Sequence, residues 1–380
     1  MQWKNWAGYH AVCRYETHHE PEYQAVRHAA GLIDVTPLYK QRVHGPDAEA
    51  FLCWVTARNV AKLKLGQVGY GCWCDEQGKV LDDGTITRWD DSDYRITSAE
   101  PSWSWLVRQS EGFDVQIDEI SEELAALALQ GPASRDVLGD VCDDDVSGLG
   151  FFRAMHTTIG SKPVDITRTG YTGDLGYELW THPDNALAVW DALIEAGQPR
   201  GLLPLGLDAL DVTRIEAGFI LIGVDYFSAR HTLLASQKSS PYEIGLGWTV
   251  QLKREPFLGS EALRLEKQQG SPWSLVGLDV DWEQTEHLFD SFGLPPSLPS
   301  DAWRTAVPVY VGKKQVGQAT SGVWSPLLKR NLALASIITP HAALKSELEI
   351  EVTVEYQRRR VKATVVETPF FNPERKRSNP

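Results

Sequence analysis

The chain has 380 residues and a formal net charge of −14, with 42% hydrophobic residues. That length exceeds what one core usually organises, so two or three domains are expected, and the acidic balance argues against nucleic acid as the main partner. No run of about eighteen apolar residues is present that would span a membrane, and the start, MQWKNWAGYH, lacks the basic and then apolar pattern of a secretory signal, so a cytoplasmic protein is expected.

In chain order, the first expected element is a helix from Glu20 to Ala30, stopped at Gly31 as helix C-termini often are. LIDVTPLYK then reads as a short strand and turn. His19-Glu20 resembles the start of a zinc-protease helix, but Tyr23 stands where H-E-x-x-H requires its second histidine. From Gly45 to about Phe113 the pattern is a compact α+β unit. GPDAEAFLCWVTA is a helix, VGYGCWC and KVLDDGTITRW are paired strands around a DEQG turn, DYRITSA is a further strand, and SWSWLVRQS is a helix. Cys72 and Cys74 share a strand face, which would suit a metal. No second cysteine pair or histidine set completes such a site, so the five scattered cysteines read as free thiols and no metal is expected. The adjacent acids Asp82 and Asp83 point to opposite faces of a strand. The one that faces inward would accept hydrogen bonds or handle a proton, and the plain alternative is an acidic turn.

ALALQGP, residues 126–132, is a buried strand ending in a turn. RTGYTGDLGYELW, residues 168–180, places glycines at every third position (Gly170, Gly173, Gly176). Glycine at that density fits a backbone that bends through positive φ or passes close to another surface. An amphipathic helix follows from Pro183 to Gly197, with Leu187, Trp190, Leu193 and Ile194 as its apolar stripe. The next helix, LGLDALDVTRIEAG, puts Leu210 and Arg214 one turn apart, and an inward arginine there needs an anionic or acceptor partner. YFSARHTLLASQKSSPYEIGLGW reads as a linker crossing between domains. VPVYV, QATSGVW, LEIEVTVEY and RVKATVVE alternate as an antiparallel barrel or sandwich does, and the charged FNPERKRSNP tail is expected to be frayed or surface-lying.

Seven segments in family order together resemble the glycine-cleavage T-protein (aminomethyltransferase) family and its tetrahydrofolate-dependent demethylase relatives. They are AVRHAAGLIDV, KVLDDGTI, ALQGP, RTGYTGDLGYEL, GLDALDVTRIEAG, GLGWTV and ATSGVWSP. The resemblance implies an α+β, three-domain cloverleaf with a central folate channel and a C-terminal antiparallel β-barrel. Residues 1–45 and 125–235 would form a discontinuous folate-binding domain, 46–124 an inserted α+β domain, and 236–380 a linker and the barrel. It also implies Asp82 as the catalytic acid, with Tyr70, Tyr171, Glu178 and Arg214 around the folate; Glu178 would accept hydrogen bonds from the pterin N–H groups. Trp248 and Trp324 are further candidates for the channel wall.

The chain departs from the T-protein pattern. DVSHM is here DVTPLYK, Gly84 follows the acids in place of leucine, and Thr97 and Ser98 stand in the region of the folate-side asparagine. GYTGDLGYE is closer to the folate domains of dimethylglycine- and sarcosine-oxidising enzymes. The expected activity is therefore transfer of a methyl group from a small O-, N- or S-methylated substrate to N5 of tetrahydrofolate. Tyr39, Tyr226 and His231 are candidates to contact that donor or protonate its leaving group. The alternatives are glycine-cleavage aminomethyl transfer, which needs a lipoylated carrier protein, and a non-catalytic folate-binding module; the K-G-C-Y-x-G-Q-E motif of such modules is absent.

Overall fold

The computed structural model describes residues 2–378. A six-stranded sheet runs in the order Ala154–Ile159, Lys162–Thr167, Gly176–Thr181, Ala125–Gln130, Gly31–Asp34, Leu203–Pro204. Period-two alternation divides its side chains between two cores. Leu129, Ile166, Tyr177 and Leu179 pack beneath the helices Ser134–Val141 and Pro183–Gly197. Ile33, Ala126, Ala128 and Trp180 pack with residues of the helices Glu20–His28 and Leu207–Glu216. On the helix Pro183–Gly197 the buried line is Val189, Leu193 and Gly197, while Leu187, expected in the stripe, is 70% exposed. The bare face of Gly197 sets this rotation, because Leu202 packs directly against it.

A five-stranded antiparallel sheet has the order Gln67–Cys74, Val80–Asp90, Asp93–Ser98, Tyr39–His44, Gln116–Glu119. The sequence boundary at 45 assigned Tyr39–His44 to the first domain, but its register partners are Asp93–Ser98 and Gln116–Glu119. The chain crosses between sheets earlier, at the turn closed by Leu38 N–H and Val35 C=O. One face of this sheet is apolar and packs with Phe51, Leu52 and Leu106 of the helices Ala48–Val55 and Trp103–Gln109. By register the other face carries Tyr70, Asp83, Thr85, Arg95, Thr97 and Lys40. A face this polar is costly to bury unless its groups find partners, and part of the candidate site lies along it.

The third unit is a closed six-stranded antiparallel barrel formed by Trp273–Val280, Arg330–Ile338, Lys314–Ser325, Val307–Val311, Glu347–Val354 and Gln357–Val366. The segment expected as a linker supplies a core of its own: Ile220, Tyr226, Ile244 and Leu246 pack with Cys72, Cys74, Val80 and Phe257. All five cysteines are free, and among the described residues no group of three or more His, Cys, Asp or Glu side chains is placed to hold a metal. No helix among them is long and apolar enough to cross a membrane.

The helix Leu207–Glu216 is the axle between these units. Nine of its ten residues are buried, so apolar groups surround it instead of lining one stripe. At its end Glu216 accepts hydrogen bonds from Tyr23 (2.6 Å), Arg27 (2.9 and 2.6 Å) and Ser325 of the barrel (2.5 Å). The C-terminal tail corrects the expectation of fraying. Arg375 pairs with the buried Asp174 at 2.6 and 2.8 Å, Lys376 is only 8% exposed, and the carbonyls of Arg375, Lys376 and Ser378 accept hydrogen bonds from Arg168. Arg168 is itself 1% exposed, and a cation so placed needs those acceptors.

Candidate active site

The RTGYTGDLGYELW stretch is one wall of the site, and its glycines have two different causes. Gly173 adopts φ +76°, and a Cβ there would lie 2.5 Å from that of Ala217. Gly170 and Gly176 instead make room for the Gln130 amide, which would meet an added Cβ at 1.9 and 2.2 Å. Gln130 donates to the carbonyls of Thr169 (3.2 Å) and Tyr177 (3.3 Å) and accepts from Thr172 Oγ1 (3.0 Å), so it stitches the loop to its strand. Sequence reading passed over Gln130; its place in ALQGP, beside a glycine-rich loop, was the available signal.

On that wall the Tyr171 hydroxyl donates to the Ile220 carbonyl, and its ring stacks on Phe219 at 5.5 Å and 23°. Glu178 is partly exposed and accepts from Thr169 Oγ1 at 2.6 Å. Burial raises its pKa, opposed by the Thr169 hydrogen bond and the nearby Arg95 guanidinium. Arg214 is held by Asp211 (2.8 Å), Asp225 (2.6 Å) and the Phe219 carbonyl (3.1 Å), which supplies the anionic partners its position required. Among the described residues its Nη2 is buried without a partner.

Across from this wall, Asp83 stands between two phenols. Tyr70 donates to Asp83 Oδ2 and Tyr226 to Oδ1. Burial raises the Asp83 pKa, and both tyrosine hydrogen bonds pull it back by favouring the carboxylate. Both phenols are pushed well above their ordinary range by burial and by the Asp83 charge. Tyr70 also stacks on Trp248 at 5.9 Å and 21°, and Trp248 is 64% exposed. The Tyr171 hydroxyl bonds the carbonyl of Ile220, and Ile220 packs in one core with Tyr226 and Tyr70, so the two walls meet.

Asp82, the acid the family pattern pointed to, lies on the opposite face of its strand at 1% exposure. Its Oδ1 and Oδ2 accept the backbone N–H groups of Asp83 and Glu100, each at 2.8 Å. A β-bulge explains the exchange of faces. Cys74 pairs with Val80 but Trp73 pairs with Asp82, leaving Leu81 as the extra residue. One residue of slip moves every later side chain to the other face, so Asp83 shares the face of Tyr70 and Cys72. Gly84 follows because a Cβ there would sit 2.0 Å from the Thr97 carbonyl oxygen.

The remaining candidates divide. Tyr226 joins Asp83, as described. His231 is exposed, with Nε2 3.0 Å from Glu100 Oε2, and Tyr39, partly exposed, pairs across the sheet with Ser98, whose Oγ donates to the Glu100 carbonyl. Both therefore gather at Glu100 and not at the phenol pair. Trp324 packs against Trp282 on the barrel at 4.9 Å and is not brought into the Tyr70–Asp83 group. Arg95, which sequence reading did not single out, is 3% exposed and pairs with Asp165 at 2.8 Å, with its Nε and Nη2 lacking partners.

Flat aromatic surfaces (Tyr70, Trp248, Tyr171, Phe219), an acceptor carboxylate at Glu178 and the unpartnered Arg214 Nη2 fit a planar, hydrogen-bonding heterocycle such as a pterin.

Residues 1–254 match the GCVT N-terminal domain family model, and residues 293–372 match the glycine cleavage T-protein C-terminal barrel domain. The chain is 35% identical over 356 residues to proteins named aminomethyltransferase from Bacillus pumilus and Bacillus cytotoxicus, covering 92% of this chain and 89% of each relative. The crystal structure of the glycine cleavage system aminomethyltransferase T from Bartonella henselae superimposes with a TM-score of 0.83 at 24% identity, covering 98% of this chain and 94% of that one.

Proposed function

The chain belongs to the glycine cleavage T-protein family, and from that premise we propose that it is an aminomethyltransferase, taking its one-carbon unit from a lipoylated carrier protein. It is a one-carbon-group transferase whose acceptor is tetrahydrofolate. The relatives' shared name favours the carrier-borne aminomethyl group over the small methylated substrate that the sequence departures pointed to.

The observation that carries the reading is the Asp83 carboxylate, fixed by Tyr70 and Tyr226, which pack in one core with the Ile220 that Tyr171 bonds. Tetrahydrofolate supplies the nucleophilic nitrogen. Glu178 accepts from pterin N–H groups, Tyr171 and Tyr70 present ring faces, Arg214 Nη2 donates to an acceptor, and Asp83 receives the proton that the nitrogen gives up. Positioning of this kind accounts for much of the acceleration in group transfer. Asp82, joined to two backbone N–H groups, holds the strand that presents Asp83.

A second reading, methyl transfer from a small donor, is favoured by one observation: Tyr226 lies outside the seven family segments and donates to the second oxygen of Asp83. The test is exchange of ammonia into the one-carbon unit with tetrahydrofolate, run with and without lipoylated carrier, beside a panel of methylated donors. Carrier-dependent exchange is expected. Formation of 5-methyltetrahydrofolate from a small donor, with no carrier-dependent exchange, overturns the aminomethyl assignment in favour of the second reading.

A further inference from the structure

Asp83 has both carboxylate oxygens occupied by phenol donors, and the two phenols come from different parts of the fold. Tyr70 stands on the five-stranded sheet, stacked on Trp248, and presents the ring face assigned above to the acceptor. Tyr226 stands on the loop that crosses the strand carrying Asp83: Ala229 N–H bonds the Val80 carbonyl and Val80 N–H bonds that of Ser239, both at 2.8–2.9 Å. The same loop places Arg230 against the Pro101 carbonyl (2.8 Å) and His231 against Glu100.

We propose that Asp83 and Tyr226 form a closed proton relay, in which Asp83 takes the proton lost by the acceptor nitrogen while Tyr226 delivers its own to the atom that leaves the donor. The inference rests on the transferase reading above. The new bond joins the acceptor nitrogen to the donor's carbon, and the bond broken joins that carbon to its leaving sulfur, nitrogen or oxygen. The electron pair of the broken bond stays on the leaving atom, which Tyr226 Oη protonates. Asp83 Oδ1 returns a proton to the resulting phenolate, so one proton released equals one proton consumed and none need be exchanged with water. Tyr70 keeps its proton throughout and holds the carboxylate in place.

The relay predicts that Tyr226 matters in proportion to the leaving atom's need for a proton. Tyr226→Phe and Tyr70→Phe would be compared in the full chain. Donors would be the aminomethyl-loaded lipoyl carrier, methoxybenzene, whose phenolate needs a proton, and trimethylsulfonium, whose sulfide does not. Expected for Y226F is a loss of about 10²-fold or more on proton-requiring donors, and a loss at least about tenfold smaller on trimethylsulfonium. Y70F should show no such dependence on the donor.

A readout free of turnover is the infrared band of the Asp83 carboxyl, assigned by its loss in Asp83→Asn. Removing one hydrogen bond to the ionised form should make it titrate at higher pH in Y226F. Equal rates for Y226F and wild type on a proton-requiring donor, or an Asp83 titration that Y226F does not move, would overturn the relay. Wild-type protein inactive on all three donors would instead overturn the functional reading, with the infrared titration still deciding whether Asp83 and Tyr226 share a proton.

Discussion

At the scale of single residues, the polar face of the five-stranded sheet sets the chemistry, and Lys40 shows what that burial costs. Its Nζ donates to the carbonyls of Thr36 (2.7 Å) and Ser121 (3.2 Å), and burial lowers its pKa to about 8. Because the folded value lies below the unfolded one, the folded state binds fewer protons between these values, and stability rises with pH from about 8 to about 10.4. Lys40→Met should flatten that rise, which chemical denaturation across the window would measure, with a difference of up to about 3 kcal/mol. A parallel slope in wild type and variant would show that Lys40 is not its source. Asp82→Asn should act on stability: its amide would face one of two backbone N–H groups donor to donor, costing about 1–3 kcal/mol.

At the scale of elements, two packing features place the functional side chains. Gln130 fills the space left by Gly170 and Gly176, so Gly170→Ala should lower stability by about 1–3 kcal/mol through overpacking and weaken tetrahydrofolate binding as the Tyr171–Glu178 wall shifts. A thermal melt and a binding titration check the two effects, and a variant with unchanged stability would contradict the close approach of Gln130.

The bulge at Leu81 marks the limit of what the sequence shows. The hairpin, its DEQG turn and the paired acids were all legible from alternation and turn residues, but a regular hairpin through that turn puts Asp82 beside Tyr70. The single unpaired residue puts Asp83 on the face of Tyr70 and Asp82 on the other, and no local propensity announces it. Likewise the seven family segments contain residues of the candidate walls, while Gln130 and Arg95 act through approaches between distant strands that a linear pattern does not display.

At the scale of the whole molecule, the helix Leu207–Glu216 joins the sheets to the barrel, and the C-terminal tail returns across the glycine-rich loop. The tail's charge pattern suggested a solvated end because composition records polarity and not the buried groups that await it. Arg168 and Asp174 are those groups. Removing residues 372–380 would leave Arg168 without its three tail carbonyls, and loss of hydrogen bonds to a buried charge costs roughly 1.5–3 kcal/mol each at most. The truncated chain should melt several degrees lower and bind tetrahydrofolate more weakly, because Lys376 lies 4.7 Å from the Phe219 ring that backs Tyr171. Unchanged melting would mean that the tail contributes nothing to the fold.

The central claim is that the acid serving the one-carbon transfer is Asp83, presented on the face of Tyr70 by the bulge. Single-turnover transfer to tetrahydrofolate, measured side by side for Asp83→Asn and Asp82→Asn at matched folate saturation, tests it most directly. The account predicts a loss of about 10²–10⁴-fold for D83N and a rate within about tenfold of wild type for folded D82N. A D83N enzyme at the wild-type rate, with D82N inactive though folded, would contradict it.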